Sequence, residues 1–441
     1  MSARDAEVLE ADVVVIGAGP AGIAAAARIA ETGRRVVLLD ESPAVGGQIW
    51  RHRPGSPPPA AARRWIARLE RSGATLLCGA SVVDLYQAQE AGRFVVAAER
   101  GPAPCVIHAS SLVLATGARE RFLPFPGWTL PGVIGVGGAQ ALLKSGLSFA
   151  QKRVVIAGSG PLLLPVAAAL AGDGARVALV AEQAPRDAVM RFASSLWRRP
   201  SALAQAVRYR AGFLRTPYKT GTWVTSARGD GRLEEVTLTD GHTARTIACD
   251  VLCSAYGLVP NTQLARLLGC EIARGAVVVD ERQQTSRPRI YSVGETTGIG
   301  GVDLALVEGE IAALCVIGRE ADARRLYRRR TALRALADAM EVAFAPRAEL
   351  RDVATPDTIV CRCEDVALGA IDAGWMMRQA KLYTRAGMGP CQGRVCGAAL
   401  EFLFGWPADA VRVPAEPALL STILADAGNV AAGPLHQGVF Q

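Results

Sequence analysis

The sequence predicts an α/β protein built from two dinucleotide-binding, Rossmann-like units and a small helical C-terminal domain with four cysteines. Three observations carry this. A strand, glycine turn, helix and second strand read along "DVVVIGAGPAGIAAAARIAETGRRVVLLDE", residues 12–41. The same order recurs in "QKRVVIAGSGPLLLPVAAALAGDGARVALVAE", residues 151–182. Near the C-terminus, Cys361, Cys363, Cys391 and Cys396 are gathered as C-x-C and C-x4-C.

In the first unit a strand from Asp12 to Ile16 leads into G-x-G-x-x-G at Gly17, Gly19 and Gly22, and the next strand ends at Asp40, 23 residues past Gly17. The three glycines meet separate needs. Gly17 permits the tight turn, Gly19 lets the backbone approach a pyrophosphate, and Gly22 lets the helix pack close on the strand. The helix opens at Pro20 and offers unpaired N–H groups and a positive dipole end to phosphate. Asp40, followed by Glu41, is placed to accept hydrogen bonds from an adenosine ribose.

The second unit keeps Gly158 and Gly160 but has Leu163 at the third glycine position. The residue 23 past Gly158 is Ala181, with Glu182 one later. Leu163 is expected to hold the helix off the strand, and Ala181 cannot bind a ribose hydroxyl. The hydrophobic pattern still predicts the fold. Its occupant stays open between NAD(H), another adenine nucleotide and none.

Composition narrows the class. At 441 residues, 50% hydrophobic and 20% charged, the chain supports two or three well-buried domains. The N-terminal "MSARDAEVLEADVVVIG" lacks the features of a signal peptide, and the Ala-rich apolar runs fall short of a bilayer span. A cytoplasmic protein without a transmembrane segment is expected. The net charge of +8 gathers partly in residues 185–220, which read as two amphipathic helices broken at Pro200 with a solvated basic face. No nucleic-acid module accompanies it, so no nucleic-acid partner is expected.

In a reducing compartment, clustered cysteines point to metal or redox chemistry instead of structural disulfides. Four thiolates can hold zinc or a [2Fe-2S] cluster, and the C-x-C and C-x4-C spacing departs from zinc ribbons. The glycines of "GMGPCQGRVCG" would let backbone N–H groups face the sulfurs. The segment from Asp365 reads as a helix and "AALEFLFG" as the start of another. The remaining six cysteines lie singly in apolar runs as core filler. The boundaries that follow are 1–145 with 250–320 for a discontinuous first domain and 146–249 for an inserted second, with its basic helical excursion at 185–220. A helical linker then spans 321–355, and the cysteine domain and tail span 356–441.

Further segments carry a resemblance. "ESPAVGGQIWR", with Gly47 and Gln48, the Ala-Thr-Gly turn at Thr116 and Gly117, and "YSVGETTGIGG", with Gly294 and Glu295, resemble two-dinucleotide-domain flavoprotein reductases of the glutathione/thioredoxin-reductase type. This implies FAD in the first unit, with those residues and Val82 among its contacts. Many members have Asp where Glu295 stands. The class's thiol–disulfide members carry a cysteine pair beside the flavin, and none stands at the corresponding segments here.

The cysteine region is similar to the bacterioferritin-associated-ferredoxin-like [2Fe-2S] domain, which implies Cys361, Cys363, Cys391 and Cys396 as iron ligands. With "RFLPFPGWTLPGVIGVGGAQ", "GETTGIGGVDLALVEGEIA", "CRCEDV" and "GPCQGRVC", nearly the whole chain resembles the large subunits of heteromeric amino-acid dehydrogenases. These are the alpha subunits of opine oxidases, of proline and hydroxyproline dehydrogenases, and of hydrogen cyanide synthase. Their Leu-rich run after the second G-x-G also resembles "GSGPLLLPVA".

The resemblance implies an electron-transfer subunit in a hetero-oligomer. A second flavoprotein (beta) subunit would oxidise the CH–NH bond of an amino or imino acid, a small ferredoxin-like subunit would join it, and FMN would sit at a subunit interface. Consistently, the four histidines, His52, His108, His242 and His436, are isolated, and no catalytic residue is assigned. Arg119 and Arg121 are candidates for a flavin or partner contact. Two rivals remain: a self-sufficient NAD(P)H oxidoreductase using Gly158 and Gly160, and a scaffold subunit with zinc on the cysteines.

Overall fold

The computed structural model describes residues 7–52, 55–88, 92–198, 200–407 and 411–424. His436 lies outside them. The chain forms two compact units, one from residues 1–118, 260–337 and 410–441 and the other from 119–259 and 338–409.

The first unit opens with β1 (Glu7–Ile16), α1 (Pro20–Ala30) and β2 (Val36–Asp40). Its seven-stranded sheet runs Thr75–Cys78, β2, β1, Ala103–Leu114, Phe94–Arg100, Ala80–Gln87, and Ile290–Ser292 pairs with Ala103–Leu114. β1, β2 and their neighbours are parallel, and a parallel sheet is covered on both faces. Side chains alternate across a strand, so Val13 and Val15 enter one apolar core and Val14 and Ile16 the other.

The helix Val302–Val316 covers the first of these faces together with α1. α1 is rich in alanine where the two helices touch: a Cβ on Gly309 would strike the carbonyl oxygen of Ala21.

The second unit repeats the plan with β3 (Arg153–Ser159), α2 (Leu163–Gly172) and β4 (Arg176–Glu182). Its five-stranded sheet runs Tyr218–Thr220, β4, β3, Val251–Tyr256, Val133–Ile134, parallel throughout. An antiparallel sheet of Trp223–Arg228, Glu235–Thr239 and Ala244–Ala248 follows. The basic segment forms helices Arg186–Ser195 and Pro200–Ala211, the second opening on Pro200, where the missing N–H costs no helical hydrogen bond.

The charged stretch after residue 320 is the helix Glu320–Ala343, followed by the 3-10 turn Ala348–Asp352. The cysteine region holds the strand pair Ile359–Cys361 and Val366–Ala367 and the helices Met377–Thr384 and Cys396–Phe404. The helix expected from Asp365 starts only at Met377, because Asp372 takes the N–H of Gly374 at 2.8 Å and turns the chain first. No helix among the described residues is long and apolar enough to cross a membrane.

Candidate functional site

The first glycine turn is closed by contacts that leave no room for side chains. A Cβ on Gly17 would fall on the carbonyl oxygen of Ala115, and one on Gly22 on that of Gly17. The N–H of Ala115 bonds the Ile16 carbonyl at 2.8 Å, tying the Ala-Thr-Gly turn to the end of β1. Asp40 holds the turn from β2: one carboxylate oxygen accepts the N–H of Ala18 at 2.6 Å and the other that of Ser42 at 2.7 Å. It stays partly exposed, while Glu41 is exposed.

The other sequence-predicted segments arrive at the same edge. Gly46 donates to the Ala18 carbonyl at 2.8 Å, and a Cβ on Gly47 would lie 2.9 Å from the Cα of Gly19, so the double glycine with exposed Gln48 abuts the turn ahead of Pro20. Thr116 donates its hydroxyl to the Asn261 carbonyl at 2.7 Å, and Asn261 returns its amide to the Thr116 carbonyl at 2.9 Å and its N–H to Gly117 at 2.9 Å. A Cβ on Gly294 would stand 2.9 Å from that of Ala21 on α1. Val82 differs, because its side chain is buried in the sheet core and leaves only its backbone for a ligand.

The cradle fits a dinucleotide. It is walled by backbone, and α1 has no side-chain cap at its N-terminus, so its first N–H groups face the space a pyrophosphate takes.

Sequence reasoning missed Glu308. Fully buried on the helix Val302–Val316, it accepts the N–H of Gly294 at 2.9 Å and the hydroxyl of Thr297 at 3.0 Å. It pairs with Arg334 and, at 3.8 Å, with Arg330. Arg334 also donates to the carbonyl and hydroxyl of Thr297, at 3.2 and 3.0 Å. Burial raises the Glu308 carboxyl against the pull of the two arginines. The available signal was the acids Glu308 and Glu310 in the apolar run "LALVEGEIAALCV", since a buried charge requires a partner. Glu295, on the turn Gly294–Thr297, has its carboxyl raised by burial against the N–H of Gly301.

The second glycine turn corrects the reading of Ala181. A β-bulge lies between Val177 and Leu179, so Glu182, not Ala181, pairs with Gly158. In the first unit Leu39 pairs with Ile16, which sets Asp40 beside Gly17. Glu182 therefore stands where Asp40 does, and it holds the turn alike, accepting the N–H groups of Gly160 and Ala184 at 2.8 Å each. Leu163 is buried in the core with Val154, Ile156 and Val166, so its side chain fills space under the turn.

Unlike Asp40, Glu182 is fully buried. Burial pushes its carboxyl up to about 7 from an ordinary 4.5, against the backbone N–H groups of Ala184 and Gly160. The folded state thus holds a proton that the unfolded chain releases. This stabilisation is complete below pH 4.5 and is lost as pH rises through about 7. Denaturation across that window is expected to show a falling stability that Glu182→Gln flattens.

Two of the four cysteines sit on regular elements and two on turns. Cys361 ends the strand Ile359–Cys361 and Cys396 opens the helix Cys396–Phe404, both buried, while Cys363 is exposed and Cys391 partly buried. All four are free thiols, with Cys363 beside Cys391 and Cys361 beside Cys396. The N–H of Gly387 points at the Cys361 sulfur at 3.4 Å. Desolvation raises the Cys391 thiol, but hydrogen bonds from Val395, Cys363, Gly393 and Arg394 outweigh it and hold the thiol below its ordinary value. A Cβ on Gly389 would collide with that of Cys363. Among the described residues, no group of three or more His, Cys, Asp or Glu side chains is arranged to hold a metal ion. Arg119 donates to the Arg394 carbonyl at 2.9 Å.

Paired glycine turns with an acid at the end of each second strand, and a return segment completing the first, define an oxidoreductase fold with two dinucleotide-binding units. The chain belongs to the pyridine nucleotide-disulphide oxidoreductase family, whose model matches residues 11–311, and it is an FAD-dependent oxidoreductase. It is 34% identical over 419 residues to the HcnB subunit of hydrogen cyanide synthase from Pseudomonas aeruginosa, covering 87% of this chain and 90% of that one. It is 31% identical over 436 residues to the A-subunit of opine oxidase from Agrobacterium tumefaciens, covering 88% and 84%. Among solved structures, L-proline dehydrogenase from P. horikoshii matches its fold with a TM-score of 0.69 at 20% identity, over 95% of this chain and 80% of that one.

Proposed function

We propose that the chain is the flavin and iron–sulfur electron-transfer subunit of a heteromeric dehydrogenase or oxidase acting on the CH–NH bond of an amino or imino acid. What supports this is an FAD cradle in a chain that also gathers four free cysteines as C-x-C and C-x4-C, with the Gly387 N–H facing the Cys361 sulfur. Two relatives are themselves named as subunits, of opine oxidase and of hydrogen cyanide synthase, which supports a partner-dependent role.

Gly17, Gly19 and Gly22 make way for the pyrophosphate, Asp40 takes the ribose, and Gly47, Gln48, Thr116, Gly117, Gly294 and Glu295 surround the remainder. Cys361, Cys363, Cys391 and Cys396 are the residues that would hold a [2Fe-2S] cluster, which would supply one-electron transfer. FAD takes electrons in pairs and the cluster passes them singly, which suits a relay between an acceptor and a flavoprotein subunit that oxidises the substrate. An interfacial FMN and a small ferredoxin-like subunit complete the complex, which works in the cytoplasm.

Anaerobic purification with flavin, iron and zinc analysis tests this reading. The expected result is FAD and iron together, with Cys391→Ser losing iron more than about tenfold while keeping flavin. Zinc in place of iron, or iron unchanged in that variant, would overturn the cluster.

A further inference from the structure

We infer that residues 343–347 occupy the nucleotide groove of the second unit and exclude NAD(H) from it. In a unit of this type the pyrophosphate lies at the glycine turn and the adenosine ribose at the end of the second strand. Those places here are residues 158–160 and 182–183.

Both are engaged by the chain itself. Ser159, inside the turn, donates its hydroxyl to the Phe344 carbonyl at 2.7 Å. Gln183, directly after Glu182, donates its amide to the Ala345 carbonyl at 3.0 Å and accepts the Arg347 N–H at 3.1 Å. Ser159 and Gln183 are buried and bond each other at 2.8 Å. The Phe344 ring meets Phe192 edge-on, with centroids 5.3 Å apart, and the Arg347 guanidinium stacks 3.9 Å from the Trp223 ring. Pro346 favours the extended backbone at Ala345 and brings no N–H that needs a partner.

The acid that would receive a ribose is sealed as well. Both acids spend their two carboxylate oxygens on backbone N–H groups, but Glu182 has no exposed surface, whereas Asp40 in the first unit keeps an open side. A dinucleotide must therefore displace a strap fixed by three hydrogen bonds, one aromatic contact and one stacked cation. This goes beyond the relay reading and does not depend on the cysteine cluster.

The test is a titration of the FAD-saturated full chain with NADH and, separately, ADP-ribose, followed by calorimetry. FAD saturation keeps the first turn filled. The wild type is expected to show no saturable binding up to about 1 mM. Phe344→Ala and Gln183→Ala, which loosen the strap from opposite sides, are expected to gain affinity at least about tenfold by raising the open fraction. Phe344 is the safer site because its ring is only partly buried. Saturable binding to the wild type at micromolar ligand would overturn the inference. So would an absence of binding in a folded Phe344→Ala chain, since the strap would then not be what keeps the groove closed.

Discussion

Gly22→Val is expected to yield a chain that purifies without flavin colour and unfolds well below the parent. The new Cβ would land on the Gly17 carbonyl oxygen and, at 3.3 Å, press on the Cβ of Ala115, so the turn, the helix start and the Ala-Thr-Gly segment cannot all keep their places. Neighbours of this kind are held by the backbone and cannot rotate aside. The cost should exceed about 3 kcal/mol in stability, and FAD affinity should fall more than about 100-fold. Gly33→Ala is the control: nothing lies within 4 Å of its Cβ, so only the strain of a positive φ remains, on the order of 1 kcal/mol. Visible absorbance of the purified proteins and their thermal midpoints read both effects. A Gly22→Val chain that stays yellow would remove the first turn from the flavin site.

Glu308→Leu should destabilise the first unit by about 3–5 kcal/mol, because it leaves Arg334 facing a buried gap and takes the acceptor from the Gly294 N–H and the Thr297 hydroxyl. The double variant Glu308→Leu with Arg334→Leu should cost clearly less than the sum of its singles, since it removes the unpaired charge along with the pair. Urea unfolding of the four proteins of this cycle measures the coupling. Additive singles would mean that the pair does not hold the turn at residues 294–297. Because Glu308 fixes Gly294, the single variant should also retain less FAD than the parent.

The first unit was legible because its fingerprint counts along unbroken strands: each residue from Gly17 to Asp40 sits where one-dimensional spacing puts it. The second misled by one residue. Counting measures distance along the chain, while position beside the glycine turn is set by ladder pairing, and the bulge between Val177 and Leu179 separates the two. Glu308 announced a partner without naming it, since Arg334 lies 26 residues on in another helix. The strap was illegible for a different reason. Its contacts run through the carbonyls of Phe344 and Ala345 and the N–H of Arg347, backbone groups that nearly every residue has, so no pattern of side chains marks it. The four cysteines were visible as a set, whereas the turn at residues 372–374 and the late helix start at Met377 were not shown by the hydrophobic pattern.

The alanine face of α1 has one more consequence. Gly309 lets its helix approach the Ala21 carbonyl, with only small alanine side chains such as that of Ala24 beside the contact. One of those helices begins at the glycine turn; the other presents Glu308, which grips Gly294. Neither can slide or roll without forcing backbone into backbone, so segments nearly 300 residues apart in the chain behave as one stiff part. What reaches this flavin is therefore changed more readily through the loops around the frame than through the frame itself.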